Sequence, residues 1–223
     1  IAEMKKNIDE CHILMISGGF SAGDEPDGSG KFIANVLNNK DIADAIHALL
    51  DRGGLILGIC NGFQALVKSG LLPYGRLGMV TKESPTLFRN DINRHISQIV
   101  TTRVGTTNSP WLSGFAVGDL HTIAVSHGEG KFVVNEEFAR ELFANGQVAF
   151  QYVDPLEEEP TMESPYNPNG SYYAIEGIIS KNGQILGKMG HTERYEGNLF
   201  KNIIDEGLEQ PLFDNAVAYF RAE

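Results

Sequence analysis

The stretch Leu55–Gln64, LILGICNGFQ, constrains the fold more than any other. A short apolar run enters Gly58-Ile-Cys60-Asn-Gly62, and helical spacing resumes at once over Asn61–Lys68, with Phe63, Leu66 and Val67 apolar and Gly70 as a stop. A strand that turns directly into a helix, with glycine two residues before and two after the turning residue, is the pattern of a nucleophile elbow. The chains crowd at such a turn, and the central side chain projects at the top of a sheet. Free N–H groups and the dipole at the helix start then favour a thiolate at Cys60 and lower its pKa. The N–H of Asn61 would face an oxyanion on a bound carbonyl. A cysteine serving only as core filler gains nothing from flanking glycines. Cys11 has no such neighbours and reads as core filler.

The rest of the chain fits an α/β domain. Cys11–Ser17 (CHILMIS) is an apolar run closed by Gly18-Gly19, the pattern of a strand buried on both faces in a parallel sheet. A Gly-, Asp- and Ser-rich loop, Phe20–Gly30, follows. Phe32–Leu37 reads as a helix, and a second one is capped by Asp41, carries Ile42, Ala45, Ile46, Leu49 and Leu50 on one face, and ends at Gly53-Gly54. Strand–helix alternation in this first third predicts a mostly parallel open sheet flanked by helices. Ser97–Val104 shows strand alternation, Asn135–Asn145 a helix, and Val148–Tyr152 a strand. Asp154–Ser171 is a loop with four prolines. Tyr173–Ile179 and Gln184–Lys188 flank the turn Lys181-Asn-Gly183 as a hairpin, and helices are expected at Asn198–Glu206 and Pro211–Phe220. No repeat or linker divides residues 1–223, which read as one domain.

A thiolate nucleophile needs a base and a group to orient it. Of six histidines, His12, His47, His95 and His121 carry no local mark of chemistry. His191 follows the strand Gln184–Lys188, at the end of a sheet where α/β proteins place their sites, and Glu193 two residues on can reach its ring. His127, in Ser126-His-Gly-Glu-Gly130, is a rival base or part of a binding loop.

Composition bounds the partners. Eighteen basic against 29 acidic residues give a net charge of −11, which argues against nucleic acid as the main ligand. No apolar run approaches the ~18 residues of a membrane span. Two cysteines without CxxC spacing predict a reducing, cytoplasmic setting, and no metal site is expected.

Gly58-Ile-Cys60-Asn-Gly62-Phe-Gln64 with a downstream His-x-Glu resembles the class I (triad) glutamine amidotransferases. Three further stretches resemble the glutaminase part of phosphoribosylformylglycinamidine synthase: Gly18-Gly-Phe-Ser-Ala-Gly-Asp24, Val125-Ser-His-Gly-Glu-Gly130, and Asn167-Pro-Asn-Gly-Ser171 with Gly187-Lys-Met-Gly-His191-Thr-Glu193-Arg194. The resemblance runs from about Ile13 to the end. It implies a flavodoxin-like amidotransferase fold, with Cys60 attacking the amide of L-glutamine, His191 relaying protons and Glu193 orienting it. It also implies an oxyanion hole from Gly19, Phe20 and Asn61, and glutamine held by Gln64, Ser126, His127, Gly128 and Glu129. Ammonia would pass to a synthase domain, of the same or an associated chain, that uses ATP and Mg; no cofactor is expected in this domain.

The family usually has proline on either side of the triad histidine, where this chain has Gly190 and Thr192. Arg89, Asn90 and Arg94 match the family's Asn/Arg-rich stretch only loosely and read as surface or interface positions. The family begins with another strand and helix before Cys11, so the chain is expected to lack that unit and to be a C-terminal piece of a longer, fused synthase. The rival readings are a different cysteine hydrolase on this fold, such as another pathway's amidotransferase subunit or a DJ-1- or protease-like enzyme, and an inactive docking domain.

Overall fold

The computed structural model describes residues 1–20, 28–197, 199–200, 203 and 209–221. Helix α1 (Ala2–Glu10) leads into strand β1 (Ile13–Ile16), and helices α2 (Lys31–Leu37) and α3 (Lys40–Asp51) lead into β2 (Leu55–Ile59). Helix α4 (Asn61–Ser69) and the short α5 (Leu71–Tyr74) follow, then β3 (Thr86–Phe88), β4 (Ile96–Val104), β5 (Leu120–His127) and β6 (Lys131–Val133). The chain closes with α6 (Glu136–Ala144), β7 (Val148–Val153), the hairpin β8 (Ile175–Ile179) and β9 (Ile185–Lys188), and α7 (Leu212–Arg221). Most of the helix expected at Asn198–Glu206, and Ser21–Asp24 of the glycine-rich loop, lie outside the described residues.

Seven strands form one sheet in the order β1-β2-β9-β8-β7-β4-β5, and β3 pairs with β6 in a separate ribbon. The α/β fold is as expected, but the sheet is mixed rather than mostly parallel. Of its six pairings, β1–β2 and β2–β9 are parallel and the four others antiparallel. The parallel part comes from the helix-connected first third. Beyond it the chain returns through the Lys181–Gly183 turn and longer loops, which join antiparallel neighbours without a crossover helix.

These directions point β1, β2, β9 and β5 the same way, so their carboxyl ends share one edge of the sheet. That edge is the usual ligand position in open α/β sheets. The core lies under α3 and α4. Ile42, Ala45, Ile46, Leu49 and Leu50 of α3 are buried, as their spacing predicts, together with every residue of β2. The cap of α3 is Asn39, whose side chain accepts the N–H of Asp41 at 3.2 Å, rather than Asp41 itself. Strand β1, expected to be buried on both faces, is half-buried at the sheet's edge, with Met15 exposed.

Candidate active site

Cys60 closes β2 and is the residue before α4, in a backbone conformation (φ 53°, ψ −107°) that non-glycine residues rarely adopt. Its flanking glycines are steric necessities. A methyl group on Gly62 would come within 1.9 Å of the Ile16 carbonyl oxygen, and one on Gly58 within 2.5 Å of Leu66 Cδ1. The elbow therefore packs directly against β1 and its own helix.

Three strand ends meet here. Gly18 and Gly19 follow β1, Cys60 follows β2, and His191 follows β9. Gly18 lies between Cys60 and His191: a methyl group there would sit 2.8 Å from His191 Cε1 and 3.2 Å from Cys60 Cβ. The Cys60 N–H donates to Lys188 O at 2.8 Å, and the His191 N–H donates to Ala124 O of β5, also at 2.8 Å. His191 Nδ1 lies 2.5 Å from Glu193 Oε1. With its proton on Nδ1, His191 presents Nε2 as an acceptor, and Nε2 is buried with no hydrogen-bond partner. Thiol and imidazole thus both lie against Gly18, and the carboxylate bonds the imidazole at Nδ1; a triad uses these three kinds of group to activate a nucleophile and hold its base in one tautomer.

The electrostatics are those of a resting thiol. Burial pushes Cys60 up to about 11, against the opposing pull of the Asn61 and Gly19 N–H groups and the Arg194 charge. The expected lowering at the helix start is thus outweighed in the unliganded site, because removing a sulfur anion from water opposes ionisation more than two amides assist it. Cys60 Sγ lies 3.7 Å from Ser126 O, its acceptor. Burial also raises the Glu193 carboxyl, but the hydrogen bond and charge of His191 outweigh it, and the net shift is downward.

Of the expected oxyanion donors, the Gly19 and Asn61 N–H groups face the sulfur. Asn61 Nδ2 also donates to Gly19 O at 2.8 Å, holding the loop after β1. The Phe20 side chain is 91% exposed.

The expected glutamine-binding residues form one knot beside the thiol. Gln64 Nε2 donates to Glu129 O, and Glu129 Oε2 accepts the Ser29 N–H at 2.8 Å. Ser126 Oγ lies 3.1 Å from His95 Nε2. His127 is buried, and burial holds it down to about 3, with the neighbouring His191 and His95 adding to the effect. Its Nδ1 faces Asn90 Oδ1 at 3.2 Å, and Gly130 is fitted against its ring. A neutral ring held this way is a poor rival to His191 as base.

Two features escape a sequence reading. Asn90, expected at a surface or interface, is buried. Its side-chain nitrogen donates to His127 O at 2.8 Å and Arg94 O at 3.1 Å, its Oδ1 accepts the Gly130 N–H at 3.0 Å, and its own N–H donates to Gly128 O at 3.0 Å. Asn90 is the pin of the 127–130 loop. The Asn167–Ser171 stretch supports it from below: Asn169 Nδ2 and Ser171 Oγ donate to Gly130 O at 2.8 and 3.3 Å. The other feature is a buried pair of opposite charge, Glu176 on β8 and Lys188 on β9, whose signal is one charge breaking each of two apolar strands.

Among the described residues no cluster of three or more His, Cys, Asp or Glu is placed to hold a metal, and no helix is long and apolar enough to cross a membrane. A cleft of about 720 Å³ opens beside Glu193, lined by Ser97–Ile99, Ala124, Val125 and residues 193–196, 199 and 200. Cys60 is not part of its wall.

Known proteins resemble the chain over nearly its whole length. It is 34% identical to the phosphoribosylformylglycinamidine synthase subunit PurQ of Methanococcus maripaludis (strain C7), over 97% of this chain and 83% of that one. It is also 34% identical to the subunit of the same name from Gloeobacter violaceus, over 84% and 73% respectively. Among solved structures, a chain of PurLQS from Thermotoga maritima matches with a TM-score of 0.68 and 26% identity, covering 95% of this chain and 81% of that one. The glutaminase domain of Trypanosoma brucei CTPS shares the fold, with a TM-score of 0.53 and 13% identity over 100% of this chain and 75% of that one. Residues 1–220, including the whole thiol–imidazole–carboxylate series, match a single family. The chain belongs to the CobB/CobQ-like glutamine amidotransferase domains.

Proposed function

We propose that this chain is the glutaminase of phosphoribosylformylglycinamidine synthase, hydrolysing L-glutamine to glutamate and ammonia and passing the ammonia to a synthase partner. The observation that carries this reading is the line from Cys60 across Gly18 to His191 and Glu193, at the shared ends of three strands. The relatives' name, a subunit of that synthase, supports the acceptor reaction. ATP and Mg belong to the synthase partner, in a cytoplasmic setting that suits a free-thiol nucleophile.

In this reading His191 Nε2 takes the Cys60 proton as the sulfur attacks the side-chain amide carbon of glutamine. The C–S bond forms, and the carbonyl electron pair moves onto oxygen, where the Gly19, Phe20 and Asn61 N–H groups stabilise it. Collapse of this intermediate expels the amide nitrogen, which takes the proton back from His191 and leaves as ammonia. Water, deprotonated by His191, then cleaves the thioester, giving glutamate and restoring the thiol. Glu193 keeps the imidazole in the required tautomer and stabilises its cationic form. Gln64 and the Ser126–Glu129 loop, through His127 and Gly128, hold the substrate. The raised pKa of Cys60 fits this order of events: the thiol waits, and substrate and imidazole ionise it.

A glutamine-mimicking electrophile is expected to form an adduct at Cys60 in the complete enzyme. Cys60→Ser is expected to lose glutamine-dependent synthesis by at least ~1,000-fold while synthesis from added ammonium persists. Labelling that survives in Cys60→Ser would overturn the assignment.

A further inference from the structure

His191 is the one member of the thiol–imidazole–carboxylate series held between two flexible neighbours. Gly190 lacks a side chain, and Thr192 belongs to a short 3-10 turn, Thr192–Arg194. Neither fixes the backbone as a ring-constrained residue would. Three groups of the surrounding protein compensate. Lys188 Nζ donates to Gly190 O at 3.2 Å, to Thr192 Oγ1 at 3.1 Å and to Gln210 Oε1 at 2.8 Å. Glu176 Oε1 accepts the Gly190 N–H and lies 3.9 Å from Lys188 Nζ. Thr192 Oγ1 donates in turn to Gln210 Oε1 at 2.8 Å. The residues on both sides of His191 are therefore tethered to one buried ammonium, and the residue before it also to the carboxylate.

Both charges are completely buried, and Lys188 also lies 5.1 Å from the Phe150 ring centroid. A buried ion pair is a poor device for stability alone, because apolar residues of similar volume usually serve as well or better. Glu176 shows the cost directly, since its Oε2 is buried without a partner. The local sequence is built around the pair. A methyl group on Gly190 would come within 2.9 Å of Glu176 Oε1 and 3.0 Å of Ile123 Cγ2, so glycine here is fitted against both the glutamate of β8 and Ile123 of β5.

We propose that Glu176 and Lys188 are positioning residues that lock the Gly190–Thr192 segment and so aim the His191 ring at Cys60. The inference rests on the triad reading above. The pair touches neither substrate nor thiol and acts through the backbone of residue 190 and the side chain of residue 192. A ring displaced by about 1 Å can lose on the order of 100-fold in rate.

The test is made in the complete enzyme. Lys188→Met alone leaves Glu176 buried and unpaired, and loss of folding there would say nothing of position, so the informative protein is the double variant Lys188→Leu/Glu176→Ala. It is expected to stay folded with a melting temperature lowered by only a few degrees, because the buried charges are gone but the Gly190 N–H has lost its acceptor, and to retain full synthesis from added ammonium. Its kcat with glutamine is expected to fall about 10- to 100-fold, with KM for glutamine little changed. Adding Thr192→Pro to that double variant is expected to recover part of the kcat. Proline fixes φ and suits the first position of a helical turn, where its missing N–H costs little.

A double variant with wild-type kcat overturns the proposal. So does one that loses melting temperature and ammonium-dependent synthesis together with kcat, because the pair is then structural. Failure of the proline to restore any kcat assigns the effect to charge rather than loop geometry and also overturns it. Wild-type enzyme that consumes no glutamine refutes the triad reading and this inference with it, whereas wild-type turnover beside an unimpaired double variant refutes only the inference.

Discussion

Asn90 shows how one side chain can hold a loop in place without resembling a functional residue. Its side chain engages His127 O, Arg94 O, the Gly130 N–H and His127 Nδ1, and its own N–H reaches Gly128 O; His127 and Gly130 are buried with it. Replacing it with alanine strands several buried donors and acceptors, each worth roughly 1–3 kcal/mol when left unpaired. Asn90→Ala is expected to lower stability by about 2–4 kcal/mol and to raise KM for glutamine more than it lowers kcat. Denaturant unfolding together with steady-state kinetics checks both, and an unchanged KM would refute the loop-pinning role. The importance of this residue was hidden in the sequence because its partners in the 127–130 loop lie about 40 positions away. Cys60 was legible for the opposite reason: its glycines, strand and helix are all within five residues of it.

At the level of elements, the turn between β2 and α4 leaves no room for variation. Gly62→Ala would drive a methyl group into the Ile16 carbonyl, a backbone atom of the neighbouring strand that has no rotamer to change. The expected result is a loss of 3 kcal/mol or more, at the top of the roughly 1–3 kcal/mol usual for overpacking. Gly78→Ala, where a methyl group would meet no atom within 4 Å, is the matched control, although its positive φ adds some strain. Thermal melts of the two variants compare them, and equal losses would refute the crowding argument at Gly62. Helices and hairpin were legible because their periodicity, stops and Asn-Gly turn are local. Strand order was less so: nothing in Ile96–Val104 or Leu120–His127 shows that these strands pair antiparallel, since alternation reports which face is buried and not the direction of the neighbour.

For the whole molecule, buried histidines tie folding to pH. Burial holds His121 down to about 4, with Lys188 adding to the effect, and holds His127 at about 3, both from an ordinary 6.5. The unfolded chain takes up these protons near pH 6.5 while the folded one refuses them, so stability is full above about 6.5 and is lost as pH falls toward 4 and then 3. Glu193, held below its ordinary 4.5, adds a loss of the same sign below that value. Melting temperature is expected to drop steadily from pH 7 to pH 4. His121 packs edge-on against Phe115 at 5.0 Å, and its Nδ1 has no partner. His121→Phe is therefore expected to flatten the acid side of the profile, and an unchanged slope would show that this histidine is not a source of it. The site's location at the carboxyl ends of the strands was legible from the order of strand, glycine and chemistry in the sequence. The buried pair behind His191 was not recognised, because only the folded hairpin brings Glu176 and Lys188 together.

The burial of Cys60 also bears on how such a protein survives in an oxidising episode. Peroxide attacks thiolates, and the resulting sulfenic acid can go on to irreversible forms. A thiol moved from its ordinary 9.0 to about 11 carries about 100-fold less thiolate at neutral pH than an unperturbed one. Inactivation of glutamine turnover by peroxide is expected to be slower than oxidation of free cysteine at pH 7 and to accelerate as pH climbs toward 11. A rate insensitive to pH over that range would contradict it. The same enclosure that raises the thiol's pKa acts as a built-in antioxidant for Cys60.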